Sequence, residues 1–179
     1  MERLTGDRVC LRGVALTDTD AVFAIWSDPE AMRYWSHPPY TERAQAEAKL
    51  TGDLASSAAG SALPWAITLV GDDQLIGMCT LHQIDLSNGR AEVGYLLGRS
   101  YWGQGLATEA ASLVIDYAFT TLGLRRLEAD IDPRNTGSQR LLERLGFERD
   151  GYLRERWCVA GEVSDSALYG LLAREWSIK

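Results

Sequence analysis

The residues from Tyr101 to Ala110, Tyr-Trp-Gly-Gln-Gly-Leu-Ala-Thr-Glu-Ala, place two glycines and small side chains between an apolar run and the start of a helical repeat. Gly103 and Gly105 permit left-handed dihedrals and close approach, and the first N–H groups of the following helix lack intrahelical partners. Together they can cradle a phosphate or pyrophosphate. A glycine turn that only feeds the chain into a helix is the competing account. A Walker-type loop is excluded, because Gly105 is followed by Leu106-Ala107-Thr108 and not by Lys-Ser/Thr. Gly103-x-Gly105-x-x-Thr108 falls one residue short of the dinucleotide fingerprint, with Glu128, 23 residues past Gly105, as its ribose acid. That fingerprint opens a parallel βαβ sheet, and the elements around this loop do not follow that order.

Arg8 to Arg12 alternates polar and apolar side chains as a first strand does, and Thr17-Asp18-Thr19-Asp20 caps a helix running to about Trp26. Asp28-Pro29 starts a short helix, the aromatic loop Tyr34 to Tyr40 follows, and Thr41 caps a longer helix to about Ala58. Strands at 63–70, 75–84 and 92–97 are joined by short turns and are therefore antiparallel. From Gly105 the period changes to helical and stops near Gly123. Residues 126–131 form a strand, 135–145 a helix ended by Gly146, and 147–159 with 163–172 a closing hairpin turned at Ala160-Gly161. An antiparallel meander continued by one β-α-β crossover is an α+β fold: a mixed, mostly antiparallel sheet flanked by helices, here one domain over residues 1–179.

The 179 residues carry 25 acids and 18 bases, a net charge of -7, which disfavours a general nucleic-acid or anionic-membrane binder. The bases are 16 Arg with Lys49 and Lys179, as a GC-rich genome would encode. No apolar run approaches the ~18 residues of a membrane span and Met1-Glu2-Arg3 leads into no signal-peptide core, so a cytoplasmic protein is expected. Cys10, Cys79 and Cys158 are widely spaced in apolar surroundings and read as buried free thiols. With only His37 and His82 and no Gly-x-Ser-x-Gly segment, a serine-hydrolase triad or metal site has no support.

Trp102 to Ala107 resembles the Q/R-x-x-G-x-G/A acetyl-CoA loop of the GNAT N-acetyltransferases, with Trp102 where Gln or Arg is usual. The fuller spelling through Ala110 is similar to the branch of ribosomal-protein N-terminal acetyltransferases. So are Thr5 to Arg12, Ser27 to Trp35, Ala91-Glu92-Val93-Gly94-Tyr95, and Asn135-Thr136-Gly137-Ser138 with Leu145-Gly146-Phe147. The likeness spans roughly residues 4–175.

The resemblance implies the GNAT fold, acetyl-CoA as co-substrate, no metal, and transfer to a primary amine by direct attack, without an acyl-enzyme. Backbone N–H groups of Gly103, Gln104, Gly105, Ala107 and Thr108 would hold the pyrophosphate. The strands at Glu92 and Arg126 would splay to admit pantetheine, which the backbone at Leu96 and Leu97 would meet, and an N–H there would stabilise the oxyanion. Asn135 would contact the cofactor while also suiting a helix N-cap. The Tyr that many members place seven residues after this Asn is Leu142 here, which nominates Ser138 as the acid that protonates the thiolate; an ordinary first-turn serine is the alternative. Arg140 and Arg144 could reach CoA phosphates or simply be solvated, and Arg140 is taken as a contact.

Glu92 matches the strand carboxylate that serves as general base, the alternative being an ion pair with Arg90 or Arg99. An α-amino group of pKa ~8 is about a quarter neutral at pH 7.5 and a lysine amine about a thousandth, so only the second needs a strong base. Trp35, His37, Tyr40 and Trp65 would line the acceptor channel. The resemblance implies a protein or peptide N-terminus as acceptor, with a polyamine, amino acid or antibiotic amine as the alternative; a CoA-binding regulatory domain without catalysis is a third reading. Homodimers are common among such relatives. The charge divides unevenly: residues 1–98 hold 13 acids and 7 bases, while residues 99–149 hold 7 of each. A cationic acceptor is thereby expected on the acidic half.

Overall fold

Alternation of apolar side chains along the strands directs one set of residues to each face of a single sheet, and the helices cover both faces. In the computed structural model, which describes residues 1–176 and so leaves Lys179 outside, the strands are β1 (Leu4–Thr5), β2 (Val9–Gly13), β3 (Leu63–Leu69), β4 (Gly77–Asp85), β5 (Arg90–Leu97), β6 (Arg126–Ile131), β7 (Glu148–Val159) and β8 (Glu162–Leu172). The helices are α1 (Thr19–Trp26), α2 (Arg43–Ala58), α3 (Leu106–Thr120) and α4 (Thr136–Arg144). The sheet runs β1-β2-β3-β4-β5-β6-β8-β7, antiparallel except for β5 and β6. The meander, the single crossover and the closing hairpin are as the sequence predicts.

Trp65, Ile67, Cys79, Leu81, Val93 and Leu97 face α3 and α4, where they pack with Leu106, Ala110, Val114 and Leu142. Their strand neighbours Ala66, Met78 and Leu96 face the other way, against Val22 and Trp26 of α1 and Ala46 and Leu50 of α2. This two-sided arrangement means that a residue's parity on β5 decides which layer it meets.

Three expectations are corrected. Residues 29–34 form turns and no helix: Asp28 accepts at its carbonyl from Met32 N–H and through Oδ1 from Glu30 N–H, and this pattern does not repeat. Thr41 precedes the cap of α2, which is Glu42; Gln45 Oε1 accepts from the N–H groups of both Thr41 and Glu42. Cys10 and Cys79 are buried free thiols, but Cys158 is exposed, because β7 is the outermost strand and most of its length faces solvent.

Candidate active site

The loop before α3 has the backbone that the glycines predict. Gly103 and Gly105 lie at φ +72° and +76°, in the left-handed region. The peptide N–H groups from Gly103 to Thr108 find no partner among the described residues, and the first bond of α3 runs from Glu109 N–H to the Gly105 carbonyl. A row of donors at a helix N-terminus fits a pyrophosphate in shape and charge. A Cβ at Gly103 would meet open space, so it is the dihedral and the open approach that favour glycine there.

Side chains that the sequence reading passed over fix this loop. Arg8, just before β2, donates from Nη1 to the Gln104 carbonyl at 2.8 Å and from Nε to Glu109 Oε2 at 2.9 Å. Glu109 Oε1 accepts from the N–H groups of Arg8 and Val9 at 2.8 and 3.2 Å. Partial burial of this carboxyl opposes its ionisation, but the two backbone donors and the guanidinium outweigh it and lower its pKa. Trp102, in the place of the usual Gln or Arg, donates its indole N–H to the Leu97 carbonyl at 2.8 Å, tying the loop to the end of β5.

The parallel pairing of β5 and β6 runs through Arg90↔Arg126, Ala91↔Leu127 and Glu92↔Glu128 and ends there, although β5 continues to Leu97 and β6 to Ile131. The strands therefore diverge as the resemblance implies, and a cleft of about 820 Å³ opens where the ladder is lost, bordered by Glu92 to Leu96 and Ala129 to Asp132. An added Cβ at Gly77 would collide with the Leu96 carbonyl, so the peptide edge of Leu96 is turned towards β4. By strand alternation the edge of Leu97 turns towards the divergence, where its carbonyl meets Trp102. Of the two positions expected to present an oxyanion N–H, only Leu97 has its backbone turned to that side.

Glu92 lies on the α1–α2 side of the sheet, half-buried. Arg90 engages Asp85 and Glu128, and Arg99 engages Asp28, so neither is its partner. Its near neighbour is His82, with Nδ1 3.9 Å from Oε2. Burial lowers the His82 pKa, which leaves the imidazole neutral at pH 7 and the contact short of an ion pair. Burial raises the Glu92 pKa, and the nearby Asp130 and Glu128 add to that rise. A carboxylate pushed upward beside a neutral imidazole can accept a proton from a bound ammonium more readily than an exposed one.

Ser138 reaches the same cleft from the opposite face. It sits in the first turn of α4, whose N-cap Asn135 accepts the Ser138 N–H through Oδ1 at 3.0 Å. The Asn135 side-chain amide N–H groups find no partner among the described residues and border the cleft, so capping leaves them available to a ligand. Ser138 Oγ lies 2.7 Å from the Tyr95 hydroxyl. Leu142 is fully buried in the core, so a tyrosine at that position would have to displace core packing. Arg140 is exposed on α4 with no carboxylate partner among the described residues.

Trp35 and His37 border the cleft, with rings 6.1 Å apart. Two of the expected acceptor residues are corrected. Tyr40 stacks on His37 at 5.3 Å and packs against the core under α1 and α2, so it backs the wall without forming it. Trp65 is fully buried on the other face of the sheet, edge-on to Tyr117 at 5.4 Å, because its parity on β3 directs it towards α3. The far wall comes instead from the β7–β8 hairpin, whose tip beyond Ser166 pairs only with itself and brings Arg156, Trp157 and Glu162 to the cleft.

A sheet that splits between two parallel strands, with an anion cradle at one end of the split and a carboxylate and a hydroxyl on its two faces, defines an acyl-transfer architecture. The chain belongs to the GNAT acetyltransferase family: residues 8–148 match the Acetyltransferase (GNAT) domain. It is 41% identical to the uncharacterized N-acetyltransferase p20 of Bacillus licheniformis over 179 residues, 99% of both chains. It is 30% identical to the spermidine N(1)-acetyltransferase of Escherichia coli K12 over 158 residues, 88% of this chain and 82% of that one. The solved structure of Mycobacterium smegmatis RimJ in complex with CoA-disulfide superposes with a TM-score of 0.84 at 27% identity, covering 97% of this chain and 87% of that one. The protein is thus an N-acetyltransferase of that family. Among the described residues no helix is long and apolar enough to cross a membrane, and no group of three or more His, Cys, Asp or Glu is placed to hold a metal ion.

Proposed function

We propose that the chain transfers the acetyl group of acetyl-CoA to the N-terminal amine of a peptide or protein, by direct attack in a ternary complex. The observation that carries this reading is the divergence of β5 and β6 beyond Glu92 and Glu128, with the glycine loop at its end and Glu92 and Ser138 on opposite faces. In such a complex the N–H row from Gly103 to Thr108 binds pyrophosphate and the Leu97 N–H receives the carbonyl oxygen as charge develops on it. Glu92 takes a proton from the attacking amine, and Ser138 gives one to the departing thiolate, so the net transfer is one proton from nitrogen to sulfur. The cleft's breadth, with walls from α2, the aromatic loop and the hairpin, suits an acceptor that enters as a chain end.

A small polyamine is the second reading. It is favoured by Glu92 and Asp130, two cleft carboxylates without a basic ion-pair partner among the described residues other than the neutral His82, and by the likeness to the spermidine enzyme. Incubation with acetyl-CoA and a panel of peptides, polyamines and amino acids, following free thiol, separates the two. Peptides with a free N-terminus should release thiol fastest. Thiol release with polyamines alone would replace the first reading by the second, and none with any amine would remove both.

A further inference from the structure

The phenol of Tyr95 is not used by any step above, yet it is in contact with the hydroxyl assigned as the acid. Its side chain projects from β5 towards α4, and its partners are both on one residue: Ser138 Oγ at 2.7 Å and the Ser138 carbonyl at 3.4 Å. Tyr95 is part-buried with both of its protein partners on Ser138, and of the two the hydroxyl oxygen at 2.7 Å is the closer acceptor for the phenol O–H. Once Ser138 Oγ accepts from Tyr95, its own hydrogen cannot return along the same line and is directed elsewhere. Its remaining exposed side is the cleft, which both residues border.

We propose that Tyr95 is a positioning residue for proton donation: it donates to Ser138 Oγ and thereby holds the serine hydrogen towards the leaving sulfur. The inference rests on the acetyltransferase reading. As the carbon–sulfur bond breaks, the Ser138 hydrogen passes to the thiolate and the Tyr95 hydrogen follows to Ser138 Oγ. Tyr95 regains a proton from solvent, balancing the one released by the amine. Burial keeps the Tyr95 phenol protonated across the working pH range, so it remains a donor.

The test is steady-state kinetics and thermal unfolding of Tyr95→Phe, Ser138→Ala and the double variant, with the best amine of the panel. Tyr95→Phe keeps the ring and should lower kcat about tenfold, the worth of one hydrogen bond, while KM for acetyl-CoA and Tm stay unchanged. The double variant should be no slower than Ser138→Ala, because Tyr95 acts only through that hydroxyl. A Tyr95→Phe kcat within twofold of the unaltered protein, losses that multiply in the double variant, or a fall confined to Tm and KM would each overturn the inference. A fully active Ser138→Ala would do the same and leave the transferase reading standing. Only the failure of the unaltered protein to release thiol would remove that reading, and this inference with it.

Discussion

Between Gly103 and Thr108 the groups offered to a ligand are peptide N–H donors on one continuous segment, braced from behind by Arg8 and Glu109. Around Glu92 they are side chains drawn from the aromatic loop, α2, three strands and the hairpin tip, several in partial burial with shifted proton affinities. A backbone cradle tolerates nearly any side chain that does not point inward, but it depends on two dihedrals. A side-chain cleft can alter its chemistry by single substitutions, but it depends on where each element is packed. The cofactor end should therefore fail abruptly and the acceptor end by degrees.

The sharpest break is Gly105→Glu. Its Cβ would stand 3.3 Å from Arg8 Nη2 at φ +76°, and its carboxylate would repel an anion at the N–H row. Calorimetry should find acetyl-CoA binding weakened by roughly a hundredfold or more, equivalent to about 2.7 kcal/mol. Circular dichroism should show the fold retained, since the loop lies outside the core. Unchanged affinity would dismiss the cradle.

On the other side, Glu92→Gln should lower kcat/KM about a hundredfold for a lysine-like amine and much less for an α-amino peptide, which is already partly neutral. The pH profile supplies the sign. A base with a raised pKa is ionised only above the ordinary carboxylate range, so activity rises with pH through that value, and Glu92→Gln should lose that limb. Stability moves the opposite way. The folded state holds the Glu92 proton longer than the unfolded chain, so its contribution diminishes as pH rises from the unfolded value through the raised one. Glu92→Gln should then melt slightly higher than the unaltered protein at pH 7. A lower Tm would show that this carboxylate is structural.

The two regions also differed in how far the sequence disclosed them. The meander, the crossover and the glycine loop could be read because alternation, helical period and glycine spacing are local signals. The pairing of Arg8 with Glu109 is not legible in the sequence, because the two residues are 101 positions apart and nothing near either indicates the other, yet two hydrogen bonds join them. The sequence hides the face of Trp65 for a related reason: an aromatic on a strand has a face set by register, and register on β3 is fixed only by its pairing with β2 and β4. Tyr95 closes the Ala91–Tyr95 segment, but its meaning comes from Ser138, 43 positions away on another element.

That brace predicts an intermediate effect. Glu109→Gln would leave one of the Arg8 and Val9 donors facing an amide N–H, and losing a charge-assisted hydrogen bond in this partly exposed position costs about 1 kcal/mol. Acetyl-CoA affinity should fall about tenfold as the loop loosens. The folded pKa of Glu109 lies below its unfolded value, so its contribution is complete above the unfolded pKa and is lost as pH falls through the folded one. The Tm difference between this variant and the unaltered protein should therefore narrow on acidification below about pH 4. A constant difference would mean that packing, and not charge, holds the loop.

The smallest effect expected is on encounter. Residues 1–98 carry the surplus of acids, and the cleft they help to build is bordered by Glu92 and Asp130, neither of which forms an ion pair with an arginine among the described residues. Other carboxylates there are already engaged: Asp132 and Glu162 by Arg134, and Asp53 by Lys49. The field that a cationic amine meets therefore comes from a few groups and is screened over about 10 Å at 0.1 M salt. Raising salt from about 0.05 to 0.3 M should lower kcat/KM roughly threefold for a polyamine and less for a peptide with one charge, with kcat nearly unchanged. The same salt step should affect acetyl-CoA more weakly, since neutral peptide dipoles bind it and the two signs of charge balance in residues 99–149. If both substrates responded equally, the division of the molecule into a dipolar cofactor end and a charged acceptor end would have to be abandoned.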